Sequence, residues 1–235
     1  MNLHLITMNA LMSDVFEKIV ANLVVIKPDA HINQNIVDVG NVNFQFRTGE
    51  VSVISTAGIE EKILLILNYV LQISKKSEAP ILLFLALKEA EFGMLCIRSI
   101  SNIDIANLRM GRLSDSELPR LTEAVEKLRN LPLYYSNNFA IAVLESRLKT
   151  FQQKFGKIGT ILLDADCLAA VKKSALSEGR SIKLSELQRF ENLAKKWQCP
   201  VLLFTTRECQ VNSLAWADGV VSTSPPVRME SISIE

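Results

Sequence analysis

Three short, largely apolar runs do most to limit what this chain can fold into: ILLFLAL from Ile81, TILL from Thr160 and VLLFTT from Val201, the first with no polar alternation at all. A strand with one face in water alternates, so a run without alternation is covered on both faces, the usual condition of a parallel sheet. Between the runs lie stretches with helical spacing of apolar residues, long enough to cross back over a sheet. The pattern predicts an α/β fold, a mainly parallel sheet with helices on both faces, whose ligands bind at the carboxyl ends of the strands. At 235 residues and 49% hydrophobic content, the chain can bury one sizeable core.

Apolar positions at Leu11, Met12, Val15, Phe16, Ile19, Val20 and Leu23, with Asp14, Glu17 and Lys18 opposite, predict an amphipathic helix over 8–25. Lys27-Pro28-Asp29 ends it, and an Asn- and Asp-rich loop leads to a strand near 42–46. The expected organisation is an N-terminal helix and linker over 1–45, then an α/β domain over 46–235. Its strands are expected at 51–54, 81–87, 131–135, 160–163, 200–206 and 217–221. Helices are expected over 60–74, 89–100, 142–155 and 182–197, with another opened by the capping signature Leu113-Ser114-Asp115-Ser116-Glu117 and ending near Arg129. Residues 102–108 read as a short connection.

Composition narrows the function classes. A net charge of +1 supplies no global basic field, so any nucleic-acid contact is local and weak. Cys96, Cys167, Cys199 and Cys209 form no CxxC pair and read as buried thiols of a reducing cytoplasm; His4 and His31 have no metal-ligand spacing. The start MNLHLITMNALM lacks the basic flank and long apolar run of a signal peptide, and no apolar run reaches the roughly 18 residues of a membrane span.

The stretch with most chemical content is VSVISTAGIEEKILLILNYV, residues 51–70, an apolar strand, a turn and an apolar helix. In nucleotide-binding α/β proteins such a turn cradles phosphate: glycines let N–H groups converge, a lysine supplies charge, and a following Ser or Thr holds Mg²⁺. Here Gly58 and Lys62 are present, but Glu61 stands where a glycine should precede the lysine and Ile63 where the hydroxyl should follow it. The strand ends are expected to gather Lys62, Glu89, Asp164 and Thr205 or Arg207.

The succession of elements resembles the C-terminal RecA-like motor domain of bacterial replicative helicases of the DnaB type. The resemblance rests on DIANLRMGRLSDSELPRL (104–121), PLYYSNN (132–138), KFGKIGTILLDAD (154–166) and RSIKLSELQRFENLAKKWQCPVLLFTT (180–206), and runs from about residue 46 to 221. It implies a RecA-like P-loop NTPase fold. Carried over by position, it implies Lys62 as the phosphate-loop lysine, Glu89 near the glutamate that polarises attacking water, and Asp164 as the aspartate that organises Mg²⁺.

The departures from that family are equally specific. Besides Glu61 and Ile63, Ala165 and Cys167 stand where a tyrosine and a glutamine usually follow the aspartate, and the run 205–209 lacks the usual glutamine. The family's long DNA-contacting loop shrinks to the seven residues between Cys209 and Ala217; the basic finger and the primase-binding domain are not found.

Three accounts of the residues follow, two of which differ over the nucleotide site. In one, the ATP machinery has decayed, no cofactor is expected, and Lys62 is a solvated lysine pairing Glu60 or Glu61 on the surface. The chain is then a binding or assembly factor in replication or repair, self-associating or docking on a replicative helicase through its N-terminal helix. In the other, MgATP binds and the chain is a working helicase ATPase with Glu89 and Asp164 catalytic. A third account relates the chain to this family by fold alone. Arg147, Lys149 and Lys154 on one helix, with Lys172 and Lys173 beyond it, are the candidate DNA-facing positions.

Overall fold

The computed structural model describes residues 6–21, 46–56, 58–137, 141–166, 184–206 and 219–222. His4, His31, Cys167, Lys172, Lys173, Arg207, Cys209 and most of the expected strand at 42–46 lie outside them. The chain forms two compact units, one of residues 1–45 and 63–159 and the other of residues 46–62 and 160–235. The expected division after residue 45 cuts the chain along a different line. The N-terminal helix groups here with 63–159.

In the first unit a two-residue strand β1 (Ile6–Thr7) leads into helix α1 (Met8–Ala21). Most of α2 (Ile59–Ser74), then β3 (Ile81–Phe84), α3 (Glu89–Ser101), α4 (Ile105–Met110), α5 (Glu117–Arg129), β4 (Leu133–Ser136) and α6 (Ile141–Phe155) follow. Strands β3 and β4 are parallel, Ile81 opposite Leu133 and Phe84 opposite Ser136, while β1 runs antiparallel to β4. ILLF is buried at every position, as its lack of alternation predicts. The strand stops short of Leu87 because the Leu87 N–H turns back to the Leu85 carbonyl at 2.8 Å. The Tyr135 hydroxyl, reaching the carbonyls of Leu85 and Leu87 at 3.1 and 2.6 Å, fixes that turn.

Helix α1 lays Met8, Leu11, Met12, Val15 and Ile19, each no more than 2% exposed, against α3 and α5 of its own unit. Close approach is possible because α3 carries Gly93 at the crossing; a Cβ there would stand 2.6 Å from Val15 Cγ2. Half of the expected capping arrangement forms: the Ser114 N–H and hydroxyl both donate to Glu117 Oε2, at 2.8 and 2.9 Å, while Ser116, the residue directly before α5, makes no side-chain cap bond. Residues 102–108 are more than a connection, since the Asp104 carboxylate accepts from Ala106 N and caps α4.

The second unit is a four-stranded parallel sheet in the order β5 (Thr160–Asp164), β6 (Val201–Thr205), β2 (Val51–Ser55), β7 (Gly219–Ser222). The described side chains of β2, β5 and β6 are buried, and α7 (Leu184–Trp197) packs on β2 and β6 through Phe190, Leu193, Ala194 and Trp197. The thiols of Cys96 and Cys199 are buried and free; burial pushes Cys199 up to about 12. No helix among the described residues is long and apolar enough to cross a membrane.

Candidate functional site

The chemistry gathers at the carboxyl ends of β2, β5 and β6, inside the second unit. Strand β2 ends at Ser55 and α2 begins at Ile59, so three residues separate them, of which Thr56 and Gly58 are described. Thr56 ties the turn to β6, its N–H and hydroxyl both donating to the Thr205 carbonyl, at 2.8 and 3.2 Å. The Lys62 N–H donates to the Gly58 carbonyl at 3.0 Å, which places Lys62 in the first turn of α2.

From there its side chain runs inward. Lys62 is 1% exposed, and its ammonium donates to Asp164 Oδ1 at 2.8 Å and to Asp166 Oδ2 at 2.9 Å. Asp164 is the last residue of β5, and its Oδ1 also accepts the Asp166 N–H at 3.2 Å. Asp166 is held from the β6 side as well. The Thr205 hydroxyl donates to its Oδ1 at 2.8 Å, and the Thr206 N–H and hydroxyl both donate to its Oδ2 at 2.9 Å.

A lysine this buried is tolerated only when paired, and here two carboxylates meet one ammonium. With all three ionised, the cluster carries a net charge of −1. Burial pushes the Asp166 carboxyl up, but the hydrogen bond and charge of Lys62, with the donors of Thr206 and Thr205, outweigh it and hold the group below its ordinary value.

Against the expectations from the sequence, Lys62 is not a solvated lysine paired with Glu60 or Glu61: it is buried and its ammonium turns to β5. Lys62, Asp164 and Thr205 do come together. Glu89 opens α3 in the other unit. Gly58 has open space where a Cβ would stand, so sterics do not require a glycine there. On α6, Lys149 and Lys154 are exposed and Arg147 is partly buried. Helical geometry sets Lys149 about 200° round from Arg147 while Lys154 returns to within about 20°, so the three do not form one face. Sequence reasoning assigned no role to Asp166 or Thr56 and named Thr206 only within the polar run 205–209; the Asp-Ala-Asp run after a strand was the available signal. Among the described residues no group of three or more His, Cys, Asp or Glu is arranged to hold a metal.

A parallel sheet in which a lysine from the first helical turn after one strand meets the aspartate ending another, with one strand between the two, is the layout of RecA-like P-loop domains. Residues 32–213 match the family model described as DnaB-like helicase C terminal domain, and the chain belongs to that family. This sequence-level relationship removes the account in which only the fold is shared.

Relatives agree. A probable replicative DNA helicase of Guillardia theta is 27% identical over 179 residues, covering 74% of this chain and 30% of that protein. The replicative DNA helicase DnaB of Mycobacterium intracellulare is 26% identical over 129 residues, covering 54% of this chain and 22% of that protein. The chain thus spans less than a third of these relatives. Among solved structures, the ATPase domain of G40P superposes with a TM-score of 0.54 at 12% identity, covering 71% of this chain and 60% of that one. A DnaB-like replicative helicase described with its primase interactions gives 0.53 at 11%, covering 71% and 41%. These likenesses show the RecA-like fold.

Proposed function

We propose that this chain is a DnaB-like protein whose ATP site has lost its chemistry, and that it acts as a non-catalytic binding or assembly factor in DNA replication or repair. The observation that carries this reading is the commitment of the Lys62 ammonium to two carboxylates at 2.8 and 2.9 Å, in a cluster of net negative charge. The winding of α2 from Ile59 supports it, because the Lys62 N–H, a donor a phosphate cradle would offer, is spent within the helix.

The residues present do not suit MgATP. Ile63, fully buried, stands where a metal-binding hydroxyl is needed, and Glu60 and Glu61 occupy the first turn of α2. A carboxylate about 5 Å from a phosphate charge, at an effective dielectric near 20, costs roughly 3 kcal/mol, about two orders of magnitude in affinity. The second reading is a working ATPase, and the meeting of Lys62 with Asp164 favours it.

Calorimetric titration of the full chain with MgATP separates the two, run beside Lys62→Met and a restored turn, Glu61→Gly with Ile63→Thr. Circular dichroism first checks that each variant folds, since Ile63 is a core residue. The expected result is no heat of binding in the wild type and binding gained in the restored variant. Wild-type binding that is lost in Lys62→Met overturns the decayed-site reading.

A further inference from the structure

Four donors converge on one side chain at the strand ends: Lys62 Nζ, the Thr205 hydroxyl, and the N–H and hydroxyl of Thr206, all between 2.8 and 2.9 Å from the Asp166 carboxylate. A carboxylate offers about four acceptor positions on two oxygens, so this set answers a whole anion. The donors come from different parts of the unit, the ammonium from α2, the Thr205 hydroxyl from the last residue of β6 and the Thr206 groups from the residue beyond it. Asp166 reaches them from beyond the end of β5.

We propose that the Asp166 carboxylate is an internal ligand, seated in an oxyanion site formed by Lys62, Thr205 and Thr206 and keeping that site shut to phosphate-type anions. This rests on the reading that the nucleotide site is decayed, and adds the device that holds it closed. The consequence is mechanical as well as electrostatic. The first turn of α2, the residues after β5 and the end of β6 are cross-linked through one carboxylate, so the strand ends are held in one arrangement whatever the phosphate concentration.

The test is titration of the full chain with inorganic phosphate, as wild type, Asp166→Ala and Asp166→Asn, read by calorimetry and by thermal midpoint. The wild type measures the general stabilisation that phosphate gives any folded protein. Asp166→Ala removes the carboxylate and opens its space, and is expected to bind phosphate at least about tenfold more tightly than the wild type does. Adding Lys62→Met to it should abolish the gain. Asp166→Asn, which fills the space, should behave like the wild type.

Equal phosphate response in wild type and a folded Asp166→Ala overturns the proposal. Where Asp166→Ala does not fold in chloride, refolding is compared in phosphate and chloride at equal ionic strength; recovery specific to phosphate supports it and its lack overturns it. MgATP binding by the wild type instead overturns the decayed-site reading. A wild type silent to MgATP beside an Asp166→Ala silent to phosphate removes this inference alone.

Discussion

Lys62 is among the largest fully buried side chains of the chain, and its charge makes it the least replaceable. Removing one partner of a buried ion pair costs about 3–5 kcal/mol, because the remaining charge has no compensation. Lys62→Met keeps much of the volume but leaves Asp164 and Asp166 facing each other, so the full penalty is expected at neutral pH. Urea unfolding at pH 7 checks this, and a Lys62→Met stability equal to that of the wild type would overturn it. The wild type has its own pH dependence. The Asp166 carboxyl is held below its ordinary value by Lys62 and the two threonines against the upward push of burial. The folded state therefore binds its proton less readily than the unfolded chain. Its contribution to stability is complete above the unfolded value of about 4 and is lost as the pH falls through the lower folded value. Thermal midpoints from pH 6 downward should fall less steeply for Asp166→Asn than for the wild type, and identical slopes would sink this assignment.

At the scale of elements, α1 shows how an expectation about function depends on where an apolar face goes. A face offered to a second protein must be exposed, and the α1 face is spent on α3 and α5 of its own unit. Gly93 is the contact that permits it, since a methyl added there would lie 2.6 Å from Val15 Cγ2 and 3.0 Å from Met12 Cε. In an exposed helix Gly→Ala gains about 1 kcal/mol, whereas overpacking a closed contact costs about 1–3 kcal/mol. Gly93→Ala is expected to destabilise, and Val15→Ala to restore part of the loss in a double-mutant cycle; a stabilised Gly93→Ala would show that α1 does not dock this way. The helix itself was legible from its apolar spacing, as was α6, while α5 was legible from the Ser114 and Glu117 signature at its start. Helix α4 was not, because six residues are too few to show a period and its existence turns on the Asp104 cap. Strand β1 is two residues long and exists only by pairing with Tyr134 and Tyr135. The site divides the same way. Lys62 and Asp164 follow from position relative to strand ends, but the burial of Lys62 and the reach of Asp166 to Thr205 and Thr206 depend on pairings distant in sequence, which local pattern does not encode.

For the molecule as a whole, 26 basic against 25 acidic residues leave no long-range field to draw in a nucleic acid. Contact with single-stranded DNA then depends on local basic groups, and the described candidates are those of α6. Arg147 and Lys154 lie on one flank of that helix, beside Phe151 and Phe155, which pack with Tyr134; Lys154 stands 5.1 Å from the Phe155 ring centroid. Lys149 points elsewhere by helical geometry. Each phosphate contact on a single strand contributes a slope of about 0.7 in log affinity against log salt, so two contacts give a slope of about 1.4. Fluorescence anisotropy with labelled oligothymidine across a salt series is expected to show weak binding with a slope near that value. Arg147→Ala or Lys154→Ala should each lower it by about 0.7, and Lys149→Ala should leave it unchanged. A slope that ignores the first two substitutions would place DNA contact away from α6. Complete absence of binding at low salt would instead favour a factor that works through protein partners alone, for which the exposed surfaces of the first unit, and not the buried face of α1, would be the place to look.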